Sequence, residues 1–474
     1  MDRALNIEQA KKFIDDLWDE SITPTLMEYI QIPNKSPAFD PAWEQHGFMD
    51  EAVELAHAWV CEHLPAEAKS EVIRIAGRTP VLLIEIPGET EGNILLYGHL
   101  DKQPEMTGWR EGLGPWKAVL EDEKLYGRGG ADDGYAVFAS LTAINAVRAQ
   151  GIAHPRCILL IECCEESGSY DLPAYIDHLH DRLGAPDLVI CLDSGAGNYD
   201  QLWLTTSLRG LISGTLSVDV LREGLHSGDA SGVVASSFRI ARQLIDRLED
   251  VKSGEIRLES LNVEIPAQRV EQAIASADTL GEMVSERFPY VGSMRPVTED
   301  RPSLLLNRTW RPALSVTGVG GMPTIENAGN VLRPGTQLQL SMRTPPTVKA
   351  EDVYHELKAL LESEPPYGAK VSFQGDGASG WHSPLLSDWL SKSLDEVSNS
   401  WFGKPCMYMG EGGTIPFMGM LGEKFPKAQF MITGVLGPNS NAHGPNEFLH
   451  LGMAKRLTGC VAQLISMFGR SPSA

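Results

Sequence analysis

Apolar residues in this chain gather in short runs closed by polar or charged residues, with stretches of helical periodicity between them. Residues 80–86, 93–99, 157–164 and 187–192 are such runs and read as buried strands. Residues 7–31 and about 47–64 repeat at the helical period, and the small, apolar stretch 136–150 predicts a helix behind a Gly-rich loop. Residues 117–126 read as a hairpin turning at Asp122-Glu123. Strands alternating with helices in this way predict an α/β protein with a mixed or parallel central sheet flanked by helices. From about residue 209 the pattern changes. Residues 211–220 alternate like a half-exposed strand, a helix follows over about 231–249, and strands at 337–343 and 370–374 bracket a helix at 351–362. That is an inserted α+β unit. The first pattern resumes near 379, with a helix at 385–398, a strand at 429–433 and a closing helix at 449–467. The expected division is residues 1–208 and 378–474 for the main domain and 209–377 for the insertion.

The length supports two domains, since 474 residues exceed what a single core usually serves. A formal net charge of -23 with no Lys/Arg-rich run argues against a nucleic-acid or anionic-membrane partner. The amphipathic, acidic start has no signal-peptide core, and no apolar stretch approaches the roughly 18 residues of a membrane span. The seven cysteines are scattered, odd in number and without paired metal spacing, which predicts a cytoplasmic protein. Cys163 and Cys164 continue an apolar strand and are expected to pack in the core.

The chemistry lies at the strand ends. One run ends in His99-Leu-Asp101, where the Asp can accept from the second ring nitrogen of the His and fix its tautomer. The loop Gly127 to Gly134 carries Asp132 and Asp133; its spacing fits no phosphate cradle, and both Asp would repel phosphate. Further runs end in Glu165-Glu166 and Asp193, and a Gly/Pro/Asn loop holds His443. In open α/β sheets ligands bind outside the carboxyl ends of the strands. Imidazole and carboxylate without Cys suit zinc, manganese or cobalt. Five ligands, His99, Asp132, Glu166, Asp193 and His443, exceed one open catalytic ion but suit two ions sharing a carboxylate. Glu165 then has the task of general base. On residues alone, a hydrolase site and a set of ordinary polar strand ends stay equally open.

A resemblance weighs between them. His99-Leu-Asp101-Lys-Gln103-Pro104, Leu125-Tyr-Gly-Arg-Gly-Gly-Ala-Asp132-Asp133, Glu165-Glu166-Ser167-Gly168-Ser169, Gly224-Leu-His226-Ser227-Gly228 and Glu411-Gly412-Gly413-Thr414-Ile415-Pro416 stand in that order along the chain. They resemble the motifs of the co-catalytic di-zinc amidohydrolases that include acetylornithine deacetylase, aminoacylase, carboxypeptidase G and carnosinase. The match is nearest to the cytosolic non-specific dipeptidase/carnosinase branch. Two departures stand out: Asp133-Gly134-Tyr135 replaces the branch's Asn-Lys-Gly, and the segment after His443 differs.

The resemblance implies a zinc-peptidase-like catalytic domain with a lid/dimerisation domain inserted at 209–377. It implies two divalent ions per subunit, zinc with manganese or cobalt as alternatives. His99, Asp132 and Asp193 would hold one, and Asp132, Glu166 and His443 the other. Asp101 would orient His99, Glu165 would be the general base, and His226 would reach a neighbouring subunit's site in a homodimer to stabilise the oxyanion. Asn330, Arg343, Gly412, Gly413 and Thr414 would grip the substrate's backbone and terminal carboxylate. The implied activity is hydrolysis of dipeptides or short peptides by a metal-activated water. Its rivals are an N-acyl-amino-acid or other small-amide hydrolase, and a catalytically silent binding protein on the same fold. Arg128 and Arg209 are expected as structural ion-pair partners.

Overall fold

The computed structural model describes residues 4–468. Its centre is a six-stranded sheet in the order Lys69–Ile73, Val81–Ile86, Arg156–Glu162, Asn93–His99, Leu188–Cys191, Gln429–Ile432. The first two strands run antiparallel to their neighbours, and the last four are mutually parallel. The sheet is mixed, as the run pattern implies. Side chains alternate across it: Leu82, Ile84, Leu96, Leu159 and Ile190 face one apolar layer, and Leu83, Leu95, Leu160 and Val189 face the other.

The larger layer holds the helices Phe48–His63, Tyr135–Arg148 and Leu451–Phe468 and the nearly continuous helical stretch 7–31. Tyr135–Arg148 is buried almost throughout, which explains its small residues: Ala136, Ala139, Ala143 and Ala146 let backbone approach backbone. Gly98 serves the same end. A Cβ there would lie 2.6 Å from the Cβ of Ala136 and 2.8 Å from Asp133 Oδ2, so only glycine lets the Asp132 loop sit against the end of the Asn93–His99 strand.

The inserted segment forms a four-stranded antiparallel sheet, in the order Ala313–Gly320, Gly335–Thr344, Gly210–Asp219, Lys370–Ala378. The helices Ser237–Ile245 and Ala350–Glu362 cover it and close a separate apolar cluster. Within the same stretch, the helices Ala267–Leu280 and Arg301–Thr309 turn the other way. They bury Ala273, Ala277, Leu305 and Leu306 in the large cluster of the main body. The run pattern misses both helices. It also misses the paired parallel strands Trp203–Leu208 and Met407–Glu411, whose short runs lack a clear period. Among the described residues no helix is long and apolar enough to cross a membrane.

Candidate metal centre

Three of the parallel strands, Asn93–His99, Arg156–Glu162 and Leu188–Cys191, deliver their carboxyl ends to one edge of the sheet. His99, Glu165, Glu166 and Asp193 all follow from those ends. The Arg156–Glu162 strand stops two residues earlier than its apolar run, and Glu165–Ser167 forms a 3₁₀ turn. Asp132 comes from the loop over the edge, and His443 from the loop beyond Gln429–Ile432.

His99, Asp132 and Asp193 offer ligand atoms within 4.8 Å of one another, and so do Asp132, Glu166 and His443. Asp132 belongs to both groups, with Oδ1 3.4 Å from His99 Nε2 and Oδ2 3.1 Å from His443 Nε2. His443 Nε2 is also 3.3 Å from Glu166 Oε2. Its backbone lies in the left-handed region at φ +64°. Asn439, Asn441 and Asn446 nearby share that region, which Asn and His enter more readily than most residues with a side chain.

The donor set suits cations. His99 Nε2 is buried with no hydrogen-bond partner, although the Asp132 and Asp193 carboxylates face it. Four acids, Asp132, Glu165, Glu166 and Asp193, crowd the same space, and burial is the largest influence on each. Burial and the charge of Asp193 push the Glu165 carboxyl well above the usual range, and burial and Asp132 do the same to Glu166. Burial carries Asp193 to about 6. Asp132 goes down: against burial, the facing His443 and His99 rings hold it well below an ordinary carboxylate. Convergent carboxylates facing an unsatisfied imidazole nitrogen are what a divalent ion would neutralise.

Asp101 does more than its spacing suggests. Its two carboxylate oxygens accept from the backbone N–H of Glu165 at 3.1 Å and of Glu166 at 3.0 Å, fixing the turn that carries both glutamates. His99 Nδ1 is 3.1 Å from the Asp101 carbonyl oxygen and 3.4 Å from Oδ1. Gln103 donates to Glu166 Oε2 at 2.5 Å, a contact its place in the His-x-Asp-x-Gln-Pro motif could have signalled. At the first of the two departures, Gly134 has no room for a side chain, since a Cβ would lie 2.2 Å from the Tyr29 ring. Tyr135 OH donates to the Leu192 carbonyl at 2.5 Å, tying that loop to the strand end before Asp193.

A cavity of about 490 Å³ opens over these groups, lined by Asp132, Glu165, Asp193 and His443 and, opposite, by Gly413 and Thr414. Glu411, which opens the quoted Glu-Gly-Gly motif, also lines it, as does Arg287, which does not stand out in the sequence. Gly412 sits beside that wall. His226, Asn330 and Arg343 are not part of the lining. His226 is exposed on a short strand paired with Val331, and its Nδ1 accepts from the N–H of Gly228. Arg128 is the buried ion-pair partner expected of it, held by Glu447. Arg209 is not: among the described residues it pairs with no carboxylate. A larger cavity, about 920 Å³, lies within the inserted stretch, between residues 249–265 and residues 297–314, away from these groups.

The family model of peptidase family M20/M25/M40 matches residues 95–467. Among curated proteins the chain is 26% identical over 375 residues to a cysteinylglycine-S-conjugate dipeptidase of Corynebacterium striatum, covering 76% of this chain and 79% of that protein. It is 26% identical over 467 residues to the Beta-Ala-His dipeptidase of Homo sapiens, covering 93% and 88%. Its fold is that of the di-peptidase Dug1p from Saccharomyces cerevisiae, with a TM-score of 0.78 at 20% identity over 99% of this chain and 100% of that one. It also matches human carnosine dipeptidase 1, with a TM-score of 0.76 at 21% identity over 98% and 100%. The matched span contains His99, Asp132, Glu165, Glu166, Asp193 and His443, and the chain belongs to peptidase family M20/M25/M40.

Proposed function

We propose that this protein is a dinuclear metallo-dipeptidase that cleaves the amide bond of dipeptides or short peptides. The observation that carries the reading is the pair of ligand groups sharing Asp132, with Glu165 beside them in one cavity. The dipeptidase names of the relatives support the substrate class. His99, Asp132 and Asp193 would hold one divalent ion and Asp132, Glu166 and His443 the other, with zinc the first choice and manganese or cobalt the alternatives. When bound, such ions polarise the scissile carbonyl and lower the pKa of water.

The chain's own residues do the rest. A carboxylate oxygen of Glu165 takes the proton from the attacking water and returns it to the leaving nitrogen. Asp101 holds Glu165 in place through its backbone N–H, and Gln103 does the same for the Glu166 side chain. His226 donates a hydrogen bond to the carbonyl oxygen as it becomes negative. The exposure of His226 outside the cavity lining supports its acting in a second subunit's site. Asn330 and Arg343 lie outside the cavity lining as the 209–377 lid stands here. They would reach the substrate as the lid closes, and with Gly412, Gly413 and Thr414 of the main body would hold its backbone and terminal carboxylate. A homodimer through the lid is supported by the edge strand Ala313–Gly320, which bares Val316 at 50% and Val319 at 61% exposure beside unpaired backbone. A cytoplasmic setting is supported by cysteines that are all free.

The test is a panel of dipeptides and N-acyl amino acids run on protein of measured metal content. Dipeptide turnover is expected. Deacylation alone would move the assignment to a small-amide hydrolase, and no turnover at full metal occupancy would refute it.

A further inference from the structure

Behind the Gly412–Thr414 segment lies another cavity, of about 240 Å³, which shares no lining residue with the metal cavity. Arg209 and Arg308 border it together with Phe288, Tyr290, Val284 and Leu304, and no acidic residue lines it. Arg209 is only 8% exposed. One of its terminal nitrogens donates to the carbonyls of Asn307 at 3.1 Å and Arg311 at 3.2 Å. The Nε–H groups of Arg209 and Arg308 are both buried and find no acceptor. Among the described residues neither guanidinium has a carboxylate partner. Burial, then repulsion from Arg343 and Arg308, pulls Arg209 down to about 10, and burial lowers Arg308 against the pull of Glu411.

Buried cations with unfilled donors are costly, and the cost falls when an anion is added. The forked guanidinium matches a carboxylate in shape and charge. Apolar walls disfavour a heavily hydrated dianion such as phosphate. An amino-acid zwitterion fits poorly, since its ammonium would stand beside two guanidinium groups. We propose that this cavity is a binding site for a small carboxylic acid with an apolar body, Arg209 and Arg308 receiving the carboxylate and Phe288, Tyr290 and Leu304 the body. The site backs onto the substrate-side loop. Thr414 Oγ donates to the Arg209 carbonyl at 2.5 Å, and a Cβ at Gly412 would lie 3.3 Å from an Arg209 terminal nitrogen.

The probe is hexanoate, titrated calorimetrically into the metal-loaded enzyme, with hexanol and hexylamine as neutral and cationic controls. Hexanoate should bind at one site per chain and do so equally after chelation, with both controls at least about tenfold weaker. Arg308→Met should weaken it by about tenfold or more, the usual scale for losing a charged hydrogen-bond partner. Phe288→Ala, on a 45% exposed wall whose loss spares the cores, should weaken it several-fold and decides the matter if Arg308→Met does not fold. Binding that disappears on chelation, controls that bind as well as hexanoate, or affinity unchanged by Phe288→Ala and Arg308→Met would each overturn the site. None of these readouts depends on peptide turnover, so the result stands apart from the dipeptidase reading.

Discussion

Replacing Glu447 should separate what holds this fold together from what holds its metal loop. Glu447 and Arg128 are 0% and 1% exposed and form an ion pair in the interior. Glu447 Oε1 also accepts from the N–H of Gly129 at 2.8 Å, and its carbonyl accepts from that of Gly127 at 3.0 Å. Arg128 donates in turn to the Gly444 carbonyl at 2.9 Å and the Pro104 carbonyl at 3.3 Å. The pair therefore staples the loop bearing Asp132 to the loop bearing His443. Glu447→Ala leaves a guanidinium buried and unpaired, a loss of about 3–5 kcal/mol against a typical total stability of about 5–15 kcal/mol. It should also free the His443 loop and lower affinity at the Asp132–Glu166–His443 site by about 10–100-fold, the range for losing a supporting residue, while sparing the His99 site. The double variant Arg128→Met/Glu447→Leu removes both charges and should recover most of the stability. It should not recover metal affinity, because the Gly444 carbonyl has lost its anchor. Urea unfolding of chelated protein and competitive metal titration read the two effects separately. If Glu447→Ala stays within about 1 kcal/mol of the parent and binds both ions as before, the staple is not what positions His443.

Three more outcomes follow from the same geometry. Glu165→Ala should keep its metals and lose kcat by several orders of magnitude, and near-normal turnover at full metal content would remove Glu165 as the base. Glu162 is buried, accepts from Tyr97 OH at 2.7 Å and Ser169 Oγ at 2.8 Å, and is pushed by burial to about 8 from an ordinary 4.5. The folded state then holds a proton that the unfolded state gives up, so its contribution is present below pH 4.5 and is lost as pH rises towards 8. At 1.36 kcal/mol per pKa unit the ceiling is about 5 kcal/mol. Urea midpoints of chelated protein at pH 5 and pH 8 should show this decline, and Glu162→Gln should make it shallower, with the raised Glu165, Glu166 and Asp193 supplying the remainder; equal slopes for both proteins would contradict the assignment. Val316→Lys/Val319→Lys on the edge strand should turn a dimer into monomers in light scattering and reduce turnover by withdrawing His226, and a dimer that survives both lysines must use another face.

Which of these features could be read from the sequence depends on how far along the chain their causes lie. The strand ending at His99 and the hairpin turning at Asp122-Glu123 are set by residues within a few positions, and both stand in the structure as the pattern implies. The convergence of His99, Glu166 and Asp193 follows once their strands are taken as parallel, because parallel strands must present their carboxyl ends on one side. Asp132 and His443 arrive on loops whose shape no period encodes; their residue types mark them as candidate ligands, and only the fold brings them to His99 and Glu166. The staple joins residues 319 positions apart, and nothing local marks Glu447 as the partner of Arg128. Arg209 shows the limit most sharply. A lone arginine at a strand boundary reads as half of an ion pair, since most buried guanidinium groups have a carboxylate. The fold gives it the neighbours Arg308 and Arg343 instead, and that crowding of like charge is visible only when three distant segments are brought together.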